Sequence, residues 1–190
     1  MHGCHAFVVT FACLLLGVNS ITYGSRESIC LEYYTSGENY DLTELPAQMY
    51  GVYFWPPKQR QRDNCENISF KKLTQEDVAA ASNECSKLTL PVNETVMKAT
   101  YINNAGKTVN LLYYGNAEVK DMYRGCEKNI ATYIFKKVND NYVLGINCSA
   151  GGRGILYSTL LPSSSEVQNV VNSIEIMNGR DGSPDCSLRR

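Results

Sequence analysis

The sequence predicts an all-β fold followed by one α-helix, and two observations support this. The first is a succession of about eight short apolar or alternating segments, separated by Pro, Gly, Asn and Asp turn signals. The second is an amphipathic segment with a cap at its start, which follows the last of them. Meandering antiparallel strands of this number are typical of an up-and-down barrel or of a sandwich, and both stay open at this level.

Turn residues bound the predicted strands. Pro56 and Pro57 end the first strand, and the charged loop that they open, as far as Asn64, is expected to be solvated. Two turns, Asn103–Gly106 and Asn139–Asn141, each join neighbouring strands. In order, the predicted strands are Tyr50–Trp55, Asn67–Leu73, Lys87–Pro91, Thr95–Ile102, Lys107–Tyr114, Ile130–Val138, Tyr142–Cys148 and Ile155–Leu161.

One helix is predicted after the last strand. Ser163 and Glu166 form a capping box, and Gly179 is placed to end the helix. Apolar residues recur at helical spacing between them, and this face is expected to pack against the outside of the sheet. An earlier segment, Thr74–Glu84, starts with cap residues and is either a short helix or a loop. The apolar stripe consists of Val167, Val170, Val171, Ile174 and Met177.

Length and composition are those of a globular domain. The chain has 190 residues, of which 44% are apolar and 19% charged, and its formal net charge is −1. This balance excludes collagen-like, coiled-coil and disordered chains. Because the net charge is close to zero, neither nucleic acid nor an anionic membrane is expected as a partner. No repeat or linker divides the chain, so residues 21–190 are expected to form a single domain.

Residues 1–20 are predicted to be a signal peptide. The apolar run Ala6–Val18 is shorter than the roughly 20 residues that span a bilayer, and Val18-Asn19-Ser20 resembles a cleavage site. The remaining chain is therefore expected to be secreted, extracellular and not integral to a membrane. Both histidines, His2 and His5, would leave with the leader. Without them the chain lacks the usual general base and any His-ligated metal or haem, so we expect no enzyme, no metal and no cofactor.

Cysteine usage fits secretion. Of the eight cysteines, Cys4 and Cys13 belong to the predicted leader, and an even number remains. Six cysteines in an oxidising compartment imply three disulfides, but spacing alone does not choose their connectivity. Sequons at Asn67 and Asn93 are expected to be glycosylated, whereas the sequon at Asn147 adjoins a cysteine and is a poor candidate. The six cysteines are Cys30, Cys65, Cys85, Cys126, Cys148 and Cys186.

Three features together carry a family resemblance. Gly51-Val52-Tyr53 starts the first strand, Asn139–Tyr142 forms a later turn, and the last strand is followed by Pro162, the capped helix and Cys186. These resemble the GxW motif, the TDY turn and the C-terminal order of the lipocalin family, in particular its secreted insect type, which includes bilin-binding proteins. Two motifs are degenerate, since Tyr53 replaces the tryptophan and Ile155–Leu161 lacks the family's arginine. The resemblance implies a lipocalin-like eight-stranded antiparallel up-and-down barrel with the C-terminal α-helix packed outside.

The resemblance also implies a disulfide pattern and a function. Cys30–Cys148 and Cys65–Cys186 match the family's insect pattern, which leaves Cys85–Cys126 as a third pair. The implied function is a secreted carrier of a small hydrophobic ligand, such as a bilin, retinoid, sterol or fatty acid. The alternative is a protein-binding lipocalin, an inhibitor or defence factor, that carries no ligand and contacts a protein partner or receptor.

Period-two alternation selects the side chains that would contact a ligand. Lys98, Asn110 and Lys136 mark the outward faces of three strands, so their neighbours are expected to point inward. Such an interior suits a flat apolar ligand, although the same side chains would otherwise fill a closed barrel. None of them is charged, so salt is expected to change affinity little, and the loop Pro56–Asn64 is expected at the open mouth. The candidate residues are Met97, Ala99, Tyr101, Val109, Leu111, Tyr113, Tyr133 and Phe135.

Overall fold

The computed structural model describes residues 31–36, 39–59, 61–85, 90, 94–115, 120–124, 126 and 131–189. Within these ranges, eight antiparallel strands close into a barrel. They are β1 (Gln48–Trp55), β2 (Glu66–Lys72), β3 (Val96–Ile102), β4 (Thr108–Tyr114), β5 (Lys120–Arg124), β6 (Ala131–Asn139), β7 (Tyr142–Asn147) and β8 (Arg153–Ser158). Each strand pairs with the next along the chain, and β8 returns to β1, which closes the ring. The predicted barrel is confirmed, and the sandwich is excluded.

Two helices, α1 (Gln75–Glu84) and α2 (Ser164–Ser173), begin with the same capping arrangement. In α1 the Thr74 hydroxyl accepts from the Asp77 backbone N–H, and the Asp77 carboxylate accepts from the Thr74 N–H. Ser163 and Glu166 repeat this reciprocal pair in α2, as predicted. Each cap satisfies backbone donors that a helix start leaves unpaired, which is worth about 1 kcal/mol. The helical alternative for the earlier segment is therefore correct.

Helix α2 packs on the outside of the barrel. Val167 and Ile174 are buried against Leu144 and Leu156, which point outward from β7 and β8. The α-helix ends at Ser173, before the predicted stop at Gly179, and a 3₁₀ turn (Glu175–Met177) carries the rest of the apolar stripe. The stripe therefore covers the barrel wall as predicted. Its burial is greatest at Val167, Ile174 and Met177 and smaller at Val170 and Val171.

Strand β5 was not predicted from the sequence, and the barrel closes without one of the strands that were predicted. In β5, Met122 points into the barrel and Tyr123 is buried on the outer side, while charged residues fall on both faces, so no apolar face alternates with a polar one. The barrel closes without the predicted strand Lys87–Pro91. Of that segment only Leu90 is described; it lies outside the strands and packs beside Val78 on the outer wall.

Two of the implied disulfides are present. Cys65 is bonded to Cys186, and Cys85 is bonded to Cys126. Cys148 is also disulfide-bonded, and Cys30, its expected partner, lies outside the described residues. The predicted leader lies outside them as well. Within the described ranges, no helix is long and apolar enough to cross a membrane.

The C-terminal tail completes the wall beside β1. β9 (Ser183–Pro184) pairs with Tyr53 and Phe54, beyond the point where β2 separates from β1. The Arg62 N–H donates to the Asp185 carbonyl at 2.9 Å, and the Ser187 N–H donates to the Arg62 carbonyl at 2.9 Å. Together with the Cys65–Cys186 bond, these contacts attach the tail to the loop between β1 and β2.

Candidate ligand-binding cavity

One end of the barrel, here called the base, is closed by packed side chains. The chain before β1 crosses this end, where the Tyr40 N–H donates to the Phe135 carbonyl at 2.8 Å and Leu45 is buried. Inside, the Tyr113 ring lies edge-on to Phe135, with centroids 5.4 Å apart. Gly145 makes room for this packing, because a Cβ there would lie 3.0 Å from the Tyr157 ring. The described side chains at the base therefore form a packed aromatic core.

The opposite end, here called the mouth, holds a cavity of about 450 Å³. Its floor is formed by the rings of Tyr113, Tyr133 and Tyr157, which separate it from the base. Its apolar walls are Ile68, Leu111 and Ile155, and residues 103–105 of the β3–β4 turn lie at its rim. A volume of this order is within the range of small-molecule sites, roughly 300–1,000 Å³.

The cavity contains half of the predicted ligand residues. Tyr101, Leu111, Tyr113 and Tyr133 line it. Met97, Ala99 and Phe135 also belong to the interior cluster but are not in the cavity lining. Val109 is buried and pairs with Tyr101 in the β3–β4 ladder, again without lining the cavity. Alternation thus identified inward-facing residues, whereas depth along the strands decides which of them reach the cavity.

Two ion pairs lie at the mouth, contrary to the expectation of an uncharged site. The Lys58 ammonium contacts the Asp185 carboxylate at 2.5 Å, and it sits 3.2 Å from the centroid of the Phe54 ring. The Arg62 guanidinium contacts the Glu66 carboxylate at 2.5 Å. Lys58, Arg62 and Glu66 all line the cavity. The basic loop predicted to be solvated therefore contributes two cations to the site.

Burial shifts the acidities of these groups. Burial raises the pKa of Glu66, although the adjacent Arg62 opposes the shift. Burial lowers the pKa of Lys58, and its hydrogen bond to Asp185 counters this. The pKa values of Tyr113 and Tyr157 lie well above their usual range because both side chains are buried. Their hydroxyl groups therefore stay neutral and can both donate and accept hydrogen bonds.

A second cavity of about 330 Å³ adjoins the first. It shares Phe54, Lys58, Tyr133 and Ile155 with the main cavity and reaches Arg153 at the start of β8. The Tyr133 hydroxyl accepts a hydrogen bond from the Asn147 amide at 3.2 Å, which fixes this part of the floor. Lys58 thus stands between two connected spaces at the mouth.

A groove on the outer wall has a similar volume, about 470 Å³, and is a weaker candidate site. It lies between α1 and the outward faces of β2 to β4, with Lys71, Asp77 and Lys98 among its lining. Its lining holds four charged side chains and only two leucines, so it offers a hydrophobic ligand fewer large apolar side chains than the interior cavity does. The described residues include no group of three or more His, Cys, Asp or Glu arranged to hold a metal ion.

Several cavity residues were missed by sequence reasoning. Ile68, Ile155 and Tyr157 lie on the inward positions of alternating strands, so the same period-two argument could have found them. Glu66 shares the inward face of β2 with Ile68, so alternation places it there too, although a charged residue is not expected inside. Lys58 and Arg62 lie in a loop and carry no such signal, because their orientation depends on the tail that packs beside them.

The predicted sequons differ in accessibility. Asn67 is exposed on β2, and Asn93 lies outside the described residues. The Asn147 side chain is engaged on both sides, since its amide nitrogen donates to Tyr133 and its oxygen accepts from the Ala150 N–H. A glycan attached to the amide nitrogen of Asn147 would compete with its contact to Tyr133.

Comparison with known proteins shows that the chain is similar to a solved structure. The crystal structure of lobster apocrustacyanin A1 aligns with a TM-score of 0.42 and 11% sequence identity, over 85% of each chain. No family model matches the sequence, and no curated protein matches it.

Proposed function

We propose that this protein is a secreted, non-enzymatic lipocalin-type carrier of a small hydrophobic ligand. The observation that carries the proposal is the interior cavity of about 450 Å³, which lies inside a closed barrel above an aromatic floor. A barrel used only as a scaffold can fill its interior with side chains, as the base of this one does. The space at the mouth is therefore the feature that a carrier function explains.

The lining suits an apolar ligand with a few polar atoms. Ile68, Leu111 and Ile155 offer apolar walls, while Tyr101 and Tyr113 offer rings with hydroxyl groups. Buried apolar area contributes about 25 cal/mol per Å² before the costs of association. Bilins, retinoids, sterols and fatty acids all combine apolar bodies with a few polar groups, and they remain the candidate classes.

Titration with a panel of these four classes tests the proposal. We expect at least one class to bind with a dissociation constant below about 100 μM. Leu111→Trp should abolish this binding, because the indole would occupy the cavity. The adjacent Asn110→Trp, on the exposed outer face of the same strand, is the matched control and should leave binding unchanged. If no class binds, or if binding survives Leu111→Trp in a folded protein, the carrier function is wrong.

Secretion is part of the same proposal. The disulfides Cys65–Cys186 and Cys85–Cys126 support an oxidising compartment. Expression in a eukaryotic host should release the protein into the culture medium. The secreted protein should begin at Ile21 and carry a glycan at Asn67. Intact retention of residues 1–20 in the exported protein would contradict the signal peptide.

The protein-binding alternative has its own observation. Leu160 and Leu161 follow β8 and are exposed by 64% and 44%. Exposed leucines of this kind fit a contact with a partner protein. If the ligand panel fails while Leu160→Ser and Leu161→Ser together abolish a protein interaction, this alternative replaces the carrier function.

A further inference from the structure

We infer that the ligand carries a carboxylate head group, which Arg62 and Lys58 bind at the mouth while its apolar body lies on the tyrosine floor. This inference rests on the proposed carrier function and specifies the ligand chemistry of the same cavity. It starts from the charged side chains that surround the cavity, since these distinguish acidic, neutral and basic ligands of similar shape.

Among the described residues, cations outnumber carboxylates at the mouth. Lys58 and Arg62 line the main cavity, and Arg153 lines the adjoining one. Arg124 pairs with the inward-facing Leu111 at the rim, and its charge opposes the burial that raises the pKa of Tyr101. Against these four stand Glu66 and Asp185. The resulting field attracts an anion and repels a cation.

Each of the two carboxylates is paired with one of these cations. Glu66 contacts Arg62, and Asp185 contacts Lys58, each at 2.5 Å. One oxygen of each carboxylate, Oε1 of Glu66 and Oδ2 of Asp185, has no hydrogen-bond partner among the described residues. The Asp185 oxygen is turned toward Gly51, 3.6 Å from where a Cβ would lie, and Asp185 does not line the cavity. The carboxylate that a cationic ligand in the cavity would meet is therefore Glu66, whose charge Arg62 already balances.

Arg62 has a donor of its own that makes no hydrogen bond within the described part of the chain. Its Nη1 contacts Glu66, and its Nε is buried without a hydrogen-bond partner. A guanidinium presents five N–H donors in a planar fork, so rotation of this side chain toward the cavity would let it bind a second carboxylate along the edge that Glu66 leaves free. Lys58 has three donors, of which one reaches Asp185, and it stands between the two cavities. These two side chains therefore form an anion site directly above the apolar walls.

Three ligands with the same alkyl chain test the inference: dodecanoic acid, 1-dodecanol and dodecylamine. We expect calorimetric titration near neutral pH to show that the acid binds about tenfold more tightly than the alcohol. The amine should bind no more tightly than the alcohol. Arg62→Gln should remove most of the acid's advantage and leave the affinity for the alcohol unchanged.

Two further variants test whether the charge at the mouth is responsible. Glu66→Gln should increase affinity for the acid, because it frees the guanidinium from its present partner. Lys72→Gln removes a positive charge from the exposed end of β2 that lies away from the mouth, and should change nothing. If Arg62→Gln does not fold, Lys58→Met provides the second test of the lost preference.

The outcomes separate this inference from the carrier function. If the alcohol binds but the acid binds no more tightly, or the amine binds as tightly as the acid, the carboxylate assignment is wrong and the carrier function stands. An unchanged acid preference in folded Arg62→Gln and Lys58→Met also overturns it. If none of the three ligands binds and the wider panel fails as well, both proposals fall together.

Discussion

The base and the mouth of the barrel bury their side chains in different ways. At the base, aromatic rings and methionines fill the interior, with Tyr113 edge-on to both Phe135 and Tyr133. At the mouth, the interior holds a cavity, and Lys58 and Arg62 reach its wall as members of ion pairs. The comparison indicates that side-chain packing at the base stabilises the fold, whereas the mouth is less densely packed and leaves room for a ligand.

The same division appears in what holds each end together. The base relies on contacts between neighbouring strands and on the segment that crosses it. The mouth relies on the C-terminal tail, which brings Asp185 to Lys58 and is bonded through Cys186 to Cys65. Changes to the tail should therefore affect the site more than changes elsewhere on the barrel surface.

The largest expected effect is loss of an aromatic ring from the base. Phe135 is 1% exposed, so Phe135→Ala should destabilise the protein by about 3–5 kcal/mol, through lost burial and a residual void. Phe54→Ala, which removes a half-buried ring at the mouth, should cost only about 1–2 kcal/mol. Urea unfolding measures both. An equal loss of unfolding free energy at the two positions would mean that the base and the mouth are packed equally well.

The next effect compares the two described disulfides. Replacing Cys65 and Cys186 by serine should lower stability by about 2–4 kcal/mol. The Cys85–Cys126 pair encloses a shorter segment, with a sequence separation of 41 against 121, so its loss should cost about 1 kcal/mol less. Only the Cys65–Cys186 variant should also weaken ligand binding, because that bond joins the tail to the mouth. Equal loss of affinity in both variants would contradict this assignment.

A smaller effect concerns the buried carboxylate at the mouth. Burial raises the pKa of Glu66 above its ordinary 4.5, so the folded state holds this proton more tightly than the unfolded state. Its contribution to stability therefore falls as pH rises from about 4.5 through the folded pKa. Glu66→Gln does not titrate, so its stability relative to the native protein should increase between about pH 4 and about pH 7. A difference that stays flat with pH for Glu66→Gln would contradict the shift.

The smallest effect is that of salt on ligand binding. Because the mouth carries charged side chains, affinity for dodecanoic acid should fall a few-fold when ionic strength rises from about 0.01 M to about 1 M, as the screening length shortens from about 30 Å to about 3 Å. Affinity for 1-dodecanol should not fall. Salt-independent binding of the acid would support the uncharged site that the sequence alone suggested.

The sequence by itself determined the local elements and the faces of most strands. Capping boxes at Thr74 and Ser163 depend on side chains three residues away, so they can be identified from the local sequence alone. Alternation in β3, β4 and β6 correctly separated the inward faces, because a strand's two sides are fixed by its geometry. The family resemblance added the barrel closure and the two described disulfides, which periodicity could not supply.

Tertiary structure alone decided where packing ends and the cavity begins. Strand β5 carries charged and apolar residues on both faces, so it lacks the alternation by which strands are recognised. The pair of Lys58 and Asp185 joins residues 127 positions apart, and the charged loop is turned toward the cavity by a tail whose path no local pattern encodes. Hydrophobic periodicity reports which side of a strand is buried, whereas the depth of a side chain and its ionic partner depend on contacts between distant parts of the chain.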